Sequence, residues 1–245
     1  MEAVGIIPAR YDSTRLPGKM LADIAGKPMI QHVYERAKAA RLLDDLYVAC
    51  DDDRVMEAVK SFGGKAVLTS KGHSSGTDRL TEVANPIDAR VIINIQGDEP
   101  LIHPTMIDGL VEAMNKDKGI TIATVIKETL DRGVLDNPDT VKVVIDKDGY
   151  ALYFSRSPIP AVRSASNTAK FYKHIGIYGY TKDFLFTFTN LPPSPLEKSE
   201  SLEQLRALEN GYRIKTIETK FDTISVDTER DLEKVRKVLC QNTYL

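Results

Sequence analysis

The sequence predicts an α/β fold built on a mainly parallel sheet, and three observations carry that reading. Short apolar runs alternate with amphipathic stretches at helical spacing through the first half of the chain. The run Arg90-Val-Ile-Ile-Asn-Ile-Gln96 is almost continuously apolar, as strands covered on both faces are. Capping and turn residues stand where elements must start or stop, among them Asp51-Asp52-Asp53 and Gly63-Gly64.

Val4 to Ile7 is the first strand. Pro28 to Ala40 follows a Gly-Lys-Pro start, and its Met29, Ile30, Val33, Tyr34 and Ala37 recur on one helix face. Asp44 to Cys50 returns as strand, the aspartate run caps a helix from Val55 to Phe62, and Ala66 to Thr69 is a third strand. This β-α-β-α-β order implies parallel pairing, because parallel neighbours need a crossover between them. Asp78 to Ala84 reads as helix, 90–96 as buried strand, Pro104 to Asn115 as helix and Ile120 to Ile126 as strand.

The rhythm then changes. Strands are expected around Val141 to Asp146 and Ala151 to Ser155, then an exposed loop over Pro158, Pro160 and Ser164 to Ala169. Leu191-Pro-Pro-Ser-Pro195 is a rigid connector into a helix from Pro195 to Asn210. Tyr212 to Glu218 is the last strand, and Thr228 with Asp231 three positions on caps a helix from Glu229 to Leu239.

With 245 residues, one large domain can bury its core without disulfides. Cys50 and Cys240 show no CxxC spacing, so both read as ordinary thiols in a reducing cytoplasm. Neither a signal peptide nor a membrane span is expected, since no apolar run reaches eighteen residues. A net charge of −2 argues against a broad nucleic-acid surface.

The segment from Ile6 to Lys19 sets Arg10, Arg15 and Lys19 among Ser13, Thr14 and Gly18. Cations interleaved with hydroxyls suit a polyphosphate, because charge-assisted bonds to its oxygens are short and strong. It is not a GxxxxGK[ST] loop. A solvated basic loop is the plain alternative. Ligands of parallel sheets gather beyond the carboxyl ends of the strands. Those ends hold the basic loop, Gln96-Gly97-Asp98-Glu99-Pro100 and Ser225-Val226-Asp227. Asp98 and Asp227 together suit a magnesium-assisted phosphoryl or nucleotidyl transfer site. Each reads equally well alone as a turn or capping acid.

The stretches IIPARYDSTRLPGKML, SSGTDRL, INIQGDEPLI, ALYFSRSPIP, KHIGIYGY and LEQLRALENGYRI closely resemble the 3-deoxy-manno-octulosonate cytidylyltransferase (CMP-Kdo synthetase) family. The likeness runs through nearly the whole chain in order, and the conjunction of QGDEP, YFSR, HIGIYGY and LEQLR is its most specific part. It implies a Rossmann-like nucleotidyltransferase fold, GT-A-like, with three α/β/α layers around a predominantly parallel mixed sheet and a smaller substrate and dimerisation subdomain. The single domain would divide into a nucleotide-binding half to about 126, a sugar-binding and dimerisation half to about 211, and a closing strand and helix to 245.

The same resemblance implies roles. Ala9, Arg10, Ser13, Arg15 and Lys19 fall in the CTP-phosphate loop, with Arg15 and Lys19 neutralising departing pyrophosphate. Asp51, Ser75, Gly76 and Arg79 fall where cytosine and ribose are cradled, and Asp51 could equally be a helix cap. Asp98 and Asp227 match magnesium ligands, and Asp98 also touches the nucleotide. Gln96, Arg156, His174, Tyr178, Glu203 and Gln204 match positions around the sugar acid, whose carboxylate a guanidinium can grip at two points. A lone histidine in an apolar strand is more often a packed core group, but its flanking motif favours the sugar role for His174. His32, His73 and His103 read as structural or surface residues.

The implied reaction is in-line attack of the anomeric hydroxyl of Kdo on the α-phosphate of CTP, assisted by Mg2+, in a cytoplasmic homodimer serving lipopolysaccharide synthesis. An 8-amino sugar, a sialic acid or a sugar phosphate as acceptor is the rival enzyme reading, and a nucleotide-binding module without catalysis is the rival class.

Overall fold

Strand β1 (Ala3–Ala9) is buried along its whole length, as expected where sheet neighbours and helices cover both faces. The computed structural model describes residues 1–13, 15–73, 75–163 and 170–242. The loop read at Ser164 to Ala169 lies outside the described residues, as do Thr14 and Ser74.

After β1 come a small hairpin of β2 (Asp23–Ile24) and β3 (Lys27–Pro28), helix α1 (Met29–Lys38), β4 (Asp45–Cys50), α2 (Asp53–Ser61), β5 (Ala66–Leu68), α3 (Gly76–Ala84), β6 (Val91–Asn94), α4 (Pro104–Lys116) and β7 (Ile122–Glu128). The second half holds α5 (Arg132–Leu135), β8 (Lys142–Ile145), β9 (Ala151–Ser155), β10 (Tyr172–Thr181), α6 (Lys182–Asn190), α7 (Pro195–Glu200), α8 (Leu205–Glu209), β11 (Lys215–Glu218) and α9 (Glu229–Asn242).

The main sheet runs β11-β7-β10-β6-β1-β4-β5, with β8 joined to β10 and β9 to β8. β1 is parallel to β4 and β6, β4 to β5, and β11 to β7. β10 runs antiparallel to β6, β7 and β8. This is the mixed, mainly parallel sheet that the sequence implies. Ile7, Val48, Ile93 and Val125 face one core with Val33, Leu110 and Val235 of α1, α4 and α9. Ile6, Ile92 and Ile126 face a second core with Leu80, Phe184 and Leu205 of α3, α6 and α8. Alternate strand residues thereby build the two sides of an α/β/α sandwich.

One expectation is corrected, and one helix joins those read from the sequence. The helix read from Pro195 to Asn210 is two helices, α7 and α8, parted at Ser201, whose φ of 53° is left-handed. The carboxylate of Glu200 accepts from Ser155 Oγ at 2.7 Å and Arg156 N at 2.9 Å, which fixes the break against β9. Helix α6 follows β10 directly, capped by Thr181. Its aromatic-rich Phe184-Leu-Phe-Thr-Phe has weak helix propensity, and burial of Phe184, Leu185 and Phe188 decides its structure.

The sheet also makes the site. β6 pairs with β10 from Tyr178 to Thr181, whereas β8 pairs with the same strand at Tyr172 and Lys173. Among the described residues no strand pairs with β10 on that edge between those partners, and the β7 ladder shifts register between Ile175 and Tyr178. Such an irregularity bends a strand and re-aims its side chains. A cavity of about 500 Å³ opens there, with His174, Ile175, Gly176 and Tyr178 in its wall.

At the end of β6, Gly97 passes close to β1: a Cβ added there would lie 2.7 Å from Pro8 O. Backbone cannot yield as a flexible side chain can. Gly97→Ala is therefore expected to lower unfolding free energy by about 1–3 kcal/mol, measured by urea unfolding. A change indistinguishable from zero would contradict this close approach.

Candidate active site

Lys19 stands at the start of a 3-10 turn, Lys19–Leu21, entered through Gly18 at φ 66°, a conformation that favours glycine. Its ammonium donates to Asp98 Oδ2 at 2.6 Å, Val226 O at 3.1 Å and Asp227 Oδ1 at 3.3 Å. Arg15 Nη2 reaches Asp227 Oδ1 at 2.9 Å, and Val226 N donates to Asp98 O at 2.9 Å. The basic loop, the end of β6 and the segment before α9 are thus brought together. Burial alone would pull the Lys19 pKa down, but Asp98 and then Asp227 more than offset it, so it lies above its ordinary value.

Beside this cluster is a crevice of about 250 Å³ bounded by Arg10, Ser13, Lys19, Gly76, Gln96 and Asp98 among others. Arg10 Nη2 donates to His73 O at 2.7 Å, and Ala9 is the buried last residue of β1. Ser75 caps α3 in a capping box with Asp78, which brings Gly76 to the crevice wall.

Asp51 and Arg79 support the basic loop from behind. Arg79 is fully buried and donates to Asp51 Oδ2 at 2.9 Å, while Asp51 Oδ1 accepts from Tyr11 N at 3.0 Å. Asp52, not Asp51, caps α2, through Arg54 N. Asp51 is thereby free to fix the backbone at Tyr11, and the Tyr11 ring carries the Arg54 guanidinium 3.5 Å from its centroid.

The larger cavity takes Gln96, His174, Tyr178 and Gln204 into its wall, together with Arg15 and Asp227. Gln96 borders both cavities. His174 meets Thr124 Oγ1 at 2.9 Å and lies between Phe154 and Tyr178. Burial pulls its pKa down to about 3, with a smaller push from Lys173, so it is neutral at ordinary pH. Tyr178 is pushed well above the usual phenol value by burial and then by Glu203.

Two expected sugar contacts stand behind that wall. The Arg156 guanidinium donates to Glu200 O at 2.8 Å, Pro138 O at 3.0 Å and Ser201 O at 3.4 Å. Glu203 accepts from Thr77 Oγ1 at 2.6 Å, joining the start of α3 to the turn before α8, and burial raises its pKa. Neither lines the larger cavity: backbone carbonyls occupy Arg156, and Glu203 borders a separate pocket with Ser75, Asp78 and Arg206.

Other wall residues escape sequence reasoning. Glu99 is buried beside Asp98, and burial followed by that neighbouring charge pushes its carboxyl up to about 7. Lys173 Nζ donates to Asp222 Oδ1 at 2.9 Å, and Lys127 reaches Asp222 Oδ2 at 2.8 Å. Against the cost of burial, those two ammonium groups hold Asp222 down to about 2. The positions of Glu99 and Lys173 beside Asp98 and His174 were the available signals.

The donor set fits a hard divalent cation. Asp98 and Asp227 present oxygens within reach of one nitrogen, with side chains 22% and 35% exposed, the first bordering the crevice and the second the larger cavity. Magnesium commonly takes one or two carboxylates and completes its shell with phosphates and water. No group of three or more His, Cys, Asp or Glu that could hold a metal occurs among the described residues.

A family model described as Cytidylyltransferase matches residues 4–217. The chain belongs to the cytidylyltransferase family. A relative from Geobacter sulfurreducens named 3-deoxy-manno-octulosonate cytidylyltransferase is 51% identical over 249 residues, covering 98% of this chain and 100% of its own. One of the same name from Thermodesulfovibrio yellowstonii is 50% identical, with 100% of both chains covered. The structure of a CMP:2-keto-3-deoxy-manno-octonic acid synthetase complexed with CTP aligns at a TM-score of 0.94 and 48% identity, covering 99% of this chain and 100% of the other. These likenesses bear out the resemblance and the nucleotidyltransferase fold read from the sequence.

His174 has a consequence for this cytidylyltransferase that can be measured by pH. Its folded pKa of about 3 lies below the ordinary 6.5, so the unfolded chain binds the extra proton first as pH falls. Its contribution is complete above about 6.5 and is lost on descent toward 3. Relative to His174→Gln, which cannot titrate, the native protein should lose about 3 kcal/mol by about pH 4. Urea unfolding of both proteins across that range checks it, and parallel pH profiles would contradict it.

Proposed function

We propose that this chain transfers the cytidylyl group of CTP to 3-deoxy-D-manno-octulosonate (Kdo), giving CMP-Kdo and pyrophosphate. The observation that carries this reading is the convergence of Arg15, Lys19, Asp98 and Asp227 between two cavities that share Gln96. The half-identical relatives named for this reaction support it. CTP is assigned to the crevice beside the basic loop, and the sugar acid to the larger cavity.

The anomeric oxygen of the sugar forms a bond to the α-phosphorus, the bond from that phosphorus to the bridging oxygen breaks, and the hydroxyl proton is lost to solvent. Arg15 and Lys19 neutralise the charge that builds on departing pyrophosphate. Gln96, Tyr178 and Gln204 offer hydrogen bonds to sugar hydroxyls. Neutral His174 serves as a hydrogen-bond partner and not as a proton donor to the leaving group. Asp98 and Asp227 would hold Mg2+, which when bound supplies positive charge against the phosphate oxygens and acidifies the attacking hydroxyl. Of the expected sugar ligands, Arg156 reaches the cavity only by giving up its carbonyl partners, and Glu203 acts from behind through Thr77.

The product serves lipopolysaccharide assembly, and a cytoplasmic setting follows from the use of CTP. No helix among the described residues is long and apolar enough to cross a membrane. A homodimer through the second half is part of the same reading, since Leu130 is 76% exposed and Leu152 62%.

Pyrophosphate release in the presence of CTP, Kdo and Mg2+ tests the assignment. Chelation of the metal should abolish release, and Asp98→Asn or Asp227→Asn should lower kcat/KM by at least about 100-fold. Release that survives both chelation and Asp98→Asn would refute the proposed site. Steady-state comparison of Kdo with its 8-amino analogue and a sialic acid should favour Kdo, and clear preference for another sugar would reassign the acceptor.

A further inference from the structure

Lys142 is a fully buried lysine that the reaction does not use. It lies on β8 between β9 and β10, with Ser155 and Lys173 as its register partners. Its ammonium donates to Asn137 O at 2.9 Å, Thr140 O at 2.6 Å and Arg156 O. An ammonium has three N–H donors, so three carbonyl oxygens satisfy it completely. Burying a cation is costly unless its hydrogen bonds are met, and an apolar chain of similar length would fill the same space more cheaply. What an apolar residue could not do is hold those carbonyls.

Two of these carbonyls, those of Asn137 and Thr140, belong to residues lining the larger cavity. Residues 136–141 connect α5 to β8, and Asn137, Asp139, Thr140 and Val141 line that cavity. Within the segment Asn137 O accepts from Thr140 N at 3.1 Å, and the remaining acceptor capacity of its carbonyls calls for other donors. Lys142 supplies them from inside, and Arg156 continues the arrangement through Pro138 O, Glu200 O and Ser201 O. The second group of carbonyls leads into the turn that brings Leu202 and Gln204 to the same cavity. Val141 O also accepts from His174 N at 2.9 Å, so the wall is tied to the β10 histidine. The basic loop and its crevice have no part in these bonds.

We infer that Lys142 is a positioning residue of the sugar site: by gathering the carbonyls of Asn137, Thr140 and Arg156 it holds the cavity wall in shape and sets affinity for the sugar acid but not for CTP. This rests on the reading that the larger cavity takes the sugar.

The test is steady-state kinetics of the full chain with Kdo and CTP varied in turn, and with folding checked by circular dichroism and thermal melting. Lys142→Met should raise the KM for Kdo at least about tenfold while the KM for CTP stays within about twofold, the split that marks lost ground-state binding of one substrate. Hydrogen exchange should quicken at 137–141 and 200–204 and stay unchanged at 10–19. Should Lys142→Met fail to fold, Pro138→Gly loosens the same segment without touching the buried cation, and the same Kdo-selective rise is expected. An unchanged Kdo KM in a folded Lys142→Met protein, equal rises for both substrates, or a silent Pro138→Gly beside an unfolded Lys142→Met each overturns the inference. Gln204→Ala separates the underlying reading: without effect on the Kdo KM, it removes the sugar from this cavity. With its effect present and Lys142→Met silent, only the positioning role fails.

Discussion

The site depends first on one ammonium group. Lys19 Nζ joins Asp98 and Asp227, which enter from segments 79 and 208 residues away in sequence. With Arg15 on Asp227, two cations face two carboxylates, the Lys19 and Asp98 pair largely shielded from solvent and the Arg15 end open to it. Two cations against two carboxylates balance in formal charge. That balance makes the cluster responsive. In the proposed reaction a triphosphate can draw both cations toward itself, and the carboxylates are then left facing a region that needs positive charge. Binding of nucleotide and binding of a divalent cation would therefore favour each other, because either alone unbalances a cluster that both together restore.

The second constraint is strand length. β6 is four residues long and β10 is ten, so β10 outruns its partner and finds β8 instead. The unpaired edge between them becomes the larger cavity, and the register shift at Ile175 to Tyr178 aims His174 and Tyr178 into its wall. The carboxyl end of β6 borders the crevice on the other side through Gly97 and Asp98. One short strand thereby separates the two cavities, and Gln96, just beyond it, belongs to both.

The alternation of apolar runs made the parallel half legible, because strands buried on both faces and single-faced helices leave different periods in the sequence. β10 was legible as a strand but not as the inverted member of the sheet, since its direction depends on the β8 and β9 hairpin laid down before it. The break between α7 and α8 was hidden for a similar reason. Helical spacing continues through Ser201, and only the Glu200 contacts with Ser155 and Arg156 impose the turn. At the site, Lys19, Asp98 and Asp227 announced themselves by charge at strand ends. Lys142 did not, because a side chain that binds backbone carbonyls needs no particular partner residue and leaves no motif.

That difference bears on how the two cavities can vary. The cluster of Arg15, Lys19, Asp98 and Asp227 is held by ion pairs between side chains, so each of these four is fixed by the charge of another. The larger cavity is held through backbone carbonyls of 137–140, Arg156 and the 200–201 turn, which any residue supplies. Side chains at Asp139 and Thr140 can therefore change without dismantling the wall that carries them, provided Lys142, Arg156 and Asn137, whose Oδ1 accepts from Asp139 N at 2.9 Å, stay. Under the proposed assignment, such a build would keep the phosphate chemistry constant and leave the acceptor side open to substitution, which is where related sugars would have to be told apart.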